Sequence, residues 1–181
     1  PWHWKVGKFL MTYKDEIEKA MKMIAKKKNS IFLGQSVKIP GNLLYNSLIK
    51  VTNSKKLELP IFEDTQMGIS IGMSLNGFLP VSCYPRFDFF ILSLNQTINH
   101  LDKLKVISSN EFDPFVIIRV LVGSKKPMNA GLQHTQNYFR EIKSMCKNIK
   151  VENLNKKEKI DNSYKDCLKN KKSTIFVEYS E

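Results

Sequence analysis

With 181 residues, 42% of them hydrophobic and 25% charged, the chain has the size and balance of one globular domain able to bury a full core. Its formal net charge is +12, but only Arg86, Arg119 and Arg140 are arginines, and the lysines fall in short runs beside expected element ends. That pattern argues against a nucleic-acid binder, which reads phosphates best with arginine. No apolar run reaches the ~18 residues of a membrane span, no signal-peptide pattern is present, and the widely spaced Cys83, Cys146 and Cys167 suit reduced thiols of a cytoplasmic protein.

Pro1 to Leu10 match no element, and Met11 reads as a natural start, so residues 1–10 are expected to be a leader and 11–181 the domain. Thr12 with Asp15 forms a capping-box pattern that opens a helix to about Lys28, with Tyr13, Ile17, Ala20 and Ile24 facing the core. Ile31 to Leu33 is a short buried strand ending at Gly34, followed by a loop to Gly41 and a helix from Leu43 to about Lys50.

The stretch from Leu57 to Lys103 is the one around which the rest is organised. Leu57 to Glu63 reads as an apolar strand ending in a carboxylate. Asp64 to Gly77 has helical spacing, with Gly68 and Gly72 four apart. Each glycine costs a helix about 1 kcal/mol relative to alanine, which makes sense where a backbone or ligand approaches closely. Gly77 reads as the helix stop and Phe78 to Tyr84 as the next strand. A single helix is expected from Phe87 to about Leu104, with Phe87, Phe90, Ile91, Leu94, Ile98 and Leu101 as an apolar stripe. Phe89, Leu92 and Gln96 fall roughly opposite, on a face that is either buried under a neighbouring layer or turned to a ligand or another subunit.

Phe115 to Val122 is a nearly continuous apolar run, as expected of a central parallel strand covered on both faces. The long loop Gly123 to Gln136 follows it, where α/β proteins place their sites. A helix over Asn137 to Lys147, a strand over Ile149 to Glu152, a helix over Lys157 to Asn170 and a strand over Thr174 to Glu178 complete the chain. The alternation predicts an α/β fold, a doubly wound, mostly parallel sheet with helices on both faces.

The chain has no P-loop, no Gly-x-Gly-x-x-Gly, no Gly-x-Ser-x-Gly and no histidine–carboxylate metal spacing. Two residues stand out. Glu63, between an apolar strand and a glycine-bearing helix, is either a desolvated functional carboxylate or a helix-start residue in the dipole field. His134 is either a site residue on the loop after the central strand or a solvated loop histidine.

Pro60-Ile61-x-Glu63, Gly68-Ile69-x-Ile71-Gly72, Gly77-x-x-Pro80, Phe87-x-Phe89, Asn95-Gln96-x-Ile98-Asn99 and Gln133-His134-x-Gln136 occur here in order. The set resembles the pyrimidine-binding domain of thiamine-diphosphate enzymes, of the transketolase and 2-oxo acid dehydrogenase β-subunit type. The likeness runs from Met11 through Phe176-Val177-Glu178. It implies that Glu63 hydrogen-bonds the pyrimidine N1′ and so helps the cofactor's 4′-nitrogen deprotonate the thiazolium C2. It also implies that Phe89 stacks on the aminopyrimidine and that His134 handles substrate and intermediates. Thiamine diphosphate would then be shared with an α-like partner that binds magnesium and diphosphate, in a hetero-oligomer of α2β2 type.

Four departures accompany the resemblance. Gly34-Gln35-Ser36-Val37 stands where related β-subunits have Gly-Glu-Glu-Val, and Leu92 stands where they have glutamine. No Gly-Asp-Gly…Asn motif for magnesium and diphosphate occurs in the chain, and the further C-terminal domain of those subunits is expected to be missing. A transketolase-like subunit and a non-catalytic homologue that scaffolds or regulates a partner are the alternatives.

Overall fold

The computed structural model describes residues 11–127 and 129–180; the expected leader, 1–10, lies outside them. Six strands form one sheet: β1 (Ser30–Gly34), β2 (Lys56–Glu58), β3 (Leu79–Tyr84), β4 (Ile117–Val122), β5 (Lys150–Asn153) and β6 (Thr174–Tyr179). Their order is β2-β1-β3-β4-β6-β5 and every pairing is parallel. The sheet is thus wholly parallel, where a mostly parallel one was expected.

Strand β4 shows why both faces need cover. Ile117 and Arg119 point to one side, and Ile118, Val120 and Val122 to the other. The first side is covered by α1 (Tyr13–Ala25), α2 (Leu43–Ser47) and α7 (Lys157–Asn170), through residues such as Ile17, Ile24, Leu44 and Tyr164. The second is covered by α3 (Glu63–Leu75), α4 (Phe87–Phe90) and α6 (Phe139–Met145), through Met67, Ile71, Phe87, Phe90 and Ile142. The arrangement is the expected doubly wound α/β fold. The capping box at Thr12 and Asp15 is formed in both directions. No helix among the described residues is long and apolar enough to cross a membrane.

Two expectations need correction. The strand expected over Leu57 to Glu63 is only Lys56–Glu58. Its ladder ends where Leu59 N donates to Gly34 O (3.1 Å), because Pro60 has no N–H to continue it. Glu63 is therefore the first residue of α3 rather than the end of a strand.

The helix expected over Phe87 to Leu104 is broken. After α4 comes a 3₁₀ turn (Ile91–Ser93), a π-helical stretch (Asn95–Leu101) and then α5 (Leu104–Ile107). The hydroxyls of Ser93 and Thr97 donate back to the carbonyls of Phe90 (2.8 Å) and Ser93 (2.9 Å), competing with regular α bonding. Burial of Phe87, Phe90 and Leu101, each worth about 1.5–3 kcal/mol, holds the segment on the sheet despite its poorer backbone geometry. The stripe is only partly buried, since Ile91 is exposed.

Candidate functional site

Helix α3 rests on β1 and β3 through Gln66, whose amide donates to Ser82 Oγ (3.0 Å) and Cys83 O (3.1 Å). A Cβ at Gly34, where φ is +138°, would overlap Cys83 O and crowd Gln66 Nε2, so glycine at the end of β1 lets α3 sit this close. That docking sets the position of the first turn of α3. There Tyr84, whose ring packs edge-on to Phe90 (5.0 Å), donates its hydroxyl to the Glu63 carbonyl (3.3 Å).

Glu63 itself is 5% exposed, and among the described residues nothing hydrogen-bonds its carboxylate. Its oxygens are not among the fully enclosed unpartnered atoms, so the carboxylate keeps a narrow contact with solvent, and the N-terminal end of α3 favours its charge through the dipole. Its neighbour Asp64 accepts from Gln96 Nε2 on Oδ2 (3.3 Å), while Oδ1 is buried without a partner. The Asp64–Gln96 bond ties the start of α3 to the π-helical stretch.

The sites predicted at Phe89 and His134 come together. Their rings meet edge to face, with centroids 5.3 Å apart and planes at 86°. His134 ends a 3₁₀ turn (Leu132–His134) on the loop after β4. Beside the two rings opens a cavity of about 500 Å3, lined by Asp88, Phe89, Leu92, Gln133, Gln136 and Tyr138. Glu63 does not line that cavity. Tyr138 links it to the core by an edge-to-face contact with Phe87 (5.7 Å). Leu92, at the departure from the β-subunit pattern, is 62% exposed, so nothing among the described residues covers the face it shares with Phe89.

Two contributions were not evident from sequence. Asp88 has a buried carboxylate oxygen, Oδ2, with no partner; its place beside Phe89 was the available signal. Gly123 has the backbone of His134 packed directly against it, leaving no room for a Cβ. By contrast, a Cβ at Gly72 would meet nothing and one at Gly68 would only graze Gln96 at 4.0 Å, so the close approach expected there is not made within this chain. Gln35, the other departure, sits in a loop pinned by Glu58, whose carboxylate accepts from Ser36 N and Lys38 N at 2.6 Å each.

No family model matches the chain. Over 135 residues it is 25% identical to a "2-oxoisovalerate dehydrogenase subunit beta" of Bacillus subtilis (strain 168), covering 71% of this chain and 40% of that protein. Over 96 residues it is 29% identical to a "Pyruvate dehydrogenase E1 component subunit beta" of Gracilaria tenuistipitata var. liui, covering 51% and 29%. Over 88 residues it is 31% identical to the subunit of the same name from Cyanidium caldarium, covering 49% and 26%. The chain thus spans less than half the length of the curated relatives it matches. Among solved structures, "Split gene transketolase, inactive beta4 tetramer" superposes with a TM-score of 0.69 at 13% identity, covering 92% of this chain and 51% of that one. The chain is thus similar in sequence to β-subunits of 2-oxo acid dehydrogenases and shares its α/β fold with a split-gene transketolase chain.

Proposed function

We propose that the chain is the pyrimidine-binding, β-like part of a split thiamine-diphosphate enzyme acting on a 2-oxo acid, completed by an α-like subunit that holds magnesium and diphosphate. The observation that carries this reading is Glu63: a carboxylate on a buried residue, at a helix start, without a hydrogen-bond partner among the described residues. An aminopyrimidine ring nitrogen is the kind of partner that would satisfy it. Thiamine diphosphate, when bound, supplies an electron sink for the carbon left when a bond beside a carbonyl breaks.

The chain's own residues have distinct tasks in this reading. Glu63 holds a proton at the pyrimidine N1′. Phe89, half-buried and braced by His134, presents an apolar ring to the heterocycle. His134 moves a proton at the substrate, from a loop fixed to the end of β4. The uncovered face around Leu92 and Phe89 is where a partner subunit would close the site and exclude water. The cytoplasm is the compartment that fits three free thiols.

The neighbouring structure is titled an inactive β4 tetramer, and by analogy this chain alone is inactive as well. Calorimetry with thiamine diphosphate and magnesium tests the reading. The chain mixed with an α-like subunit bearing Gly-Asp-Gly…Asn is expected to bind tightly, and the chain alone weakly or not at all. Tight magnesium-dependent binding by the chain alone, or none by the assembly, would overturn it.

A further inference from the structure

On the sheet face away from α3, a cavity of about 330 Å3 lies at the carboxyl ends of β4 and β6, beside the first turns of α1 and α2. Ile17, Leu43, Leu44 and Leu121 give it apolar walls, and the exposed Thr12 and Lys14 stand at its rim. Arg119 and Glu178 also line it, but both are enclosed and ion-paired with each other (2.7 Å), so the floor presents no unmatched charge to an ionic ligand. Ser180 Oγ donates to Val122 O (2.9 Å) and, among the described residues, accepts from no donor. The cavity therefore suits an apolar group that carries one hydrogen-bond donor.

The described chain enters α1 beside this cavity. Helix α1 lies between its neighbours, since Glu18 pairs with Lys50 just past α2 (2.6 Å) and Lys19 pairs with Asp161 of α7 (3.2 Å). Met11 is held on the α7 side, where its carbonyl accepts from Lys157 Nζ (3.0 Å). The cavity lies on the α2 side, with lining residues from α2 and none from α7. Crossing the ~10 Å width of a helix takes about three extended residues. Residues more than three before Met11 can therefore reach the cavity.

Residues 1–10, the expected leader, read Pro-Trp-His-Trp-Lys-Val-Gly-Lys-Phe-Leu and hold both tryptophans of the sequence. We infer that this stretch docks in the cavity, with the Trp4 ring between Leu43, Leu44 and Leu121 and its indole N–H donated to Ser180 Oγ. Tryptophan matches the place on both counts, a large apolar body and a single N–H that needs an acceptor when buried. The occupant is the chain's own segment rather than a second copy, because a short tether holds it at an effective concentration on the order of mM. Docking of Trp4 covers the carboxyl ends of β4 and β6 on the face opposite α3 and Glu63, and stands independently of the thiamine-diphosphate reading.

Tryptophan fluorescence of the 181-residue chain tests the inference, because Trp2 and Trp4 are its only tryptophans. The folded chain is expected to emit at shorter wavelength than the urea-unfolded chain, independently of protein concentration. Trp2→Phe should keep that blue shift and Trp4→Phe should lose it. Leu43 is half-buried at the first position of α2, where glutamate suits the helix dipole. Leu43→Glu should thus preserve the circular-dichroism spectrum and abolish the shift. Nuclear Overhauser contacts between the Trp4 ring and the methyls of Leu43 and Leu44, expected in the parent chain, need no variant. Emission at the unfolded wavelength, a shift that fades on dilution, a shift carried by Trp2 or surviving Leu43→Glu, or absence of those contacts would each overturn the inference.

Discussion

The backbone of His134 lies directly on Gly123, so that a Cβ at position 123 would overlap the His134 carbonyl oxygen. The φ of Gly123 is ordinary, and closeness alone demands glycine there. Gly123→Ala must therefore push the Leu132–His134 turn outward and pull the His134 ring off Phe89. Overpacking of this kind costs about 1–3 kcal/mol. A fall in the urea midpoint, with changed ring-proton shifts for both Phe89 and His134, is the expected result. Shifts confined to residue 123 would mean that the loop adapts without moving its histidine.

The Arg119–Glu178 pair, at 2.7 Å and fully enclosed, is a second place where one change should be felt strongly. Glu178→Leu leaves a buried guanidinium without its counter-charge, a loss of about 3–5 kcal/mol. Replacing both partners, Arg119→Met with Glu178→Leu, removes the uncompensated charge and should recover most of that loss. Chemical denaturation of the two variants against the parent measures the difference. Equal destabilisation in both would mean that the ion pair matters for shape rather than charge.

Much of the fold is legible because burial and period coincide. Helix α7 runs over Lys157–Asn170, the bounds its pattern predicts, and β4 lies within its apolar run with both faces covered. The break after Phe90 was not legible, because Ser93 and Thr97 fit a helical pattern equally well whether they point to solvent or bond back to a carbonyl. The end of β2 could have been read from Pro60, had its missing N–H been weighed against the apolar run around it. At the candidate site, Phe89 and His134 could be nominated separately, but their contact depends on how far the loop after β4 folds back, and that distance is set by Gly123.

The three thiols make a pH prediction. Burial pushes Cys83 and Cys167 up to about 11 and Cys146 up to about 12, with Asp102 adding to the shift at Cys146. Each folded value lies above the ~8.5 of an unfolded thiol. Their contribution to stability is therefore complete below about pH 8.5 and is lost as pH climbs through 11 and 12. Unfolding midpoints should fall across that alkaline window, less so in a Cys146→Ala/Cys167→Ala variant. The folded chain should also react slowly with iodoacetamide at pH 8, because thiolate is scarce.

His134 is held by its loop backbone and by Phe89, so its ring can be removed with modest structural effect. In the assembled enzyme, His134→Ala should leave thiamine-diphosphate affinity nearly unchanged and lower turnover by about 10²-fold or more, the scale of a lost acid–base group. Calorimetry and steady-state kinetics on one preparation separate the two effects. Unchanged turnover would make His134 a packing residue for Phe89.

Glu63 carries the strictest test. Its carboxylate belongs to a buried residue, has no hydrogen-bond partner among the described residues, and is placed at a helix start by a fixed contact, the Tyr84 hydroxyl on its carbonyl. Glu63→Gln keeps the size, the backbone contact and one hydrogen-bonding edge, but an amide cannot exchange a proton with a ring nitrogen as a carboxyl group does. The variant should fold, assemble and retain much of the cofactor affinity. What should fail is loss of the thiazolium C2 proton, which is not acidic enough to leave unaided at neutral pH. Hydrogen–deuterium exchange at C2 in the assembled complex, read by NMR after acid quench, is expected to slow by roughly 10²-fold or more. Exchange at the parent rate would leave Glu63 as a structural carboxylate and take away the main support for an enzymatic role.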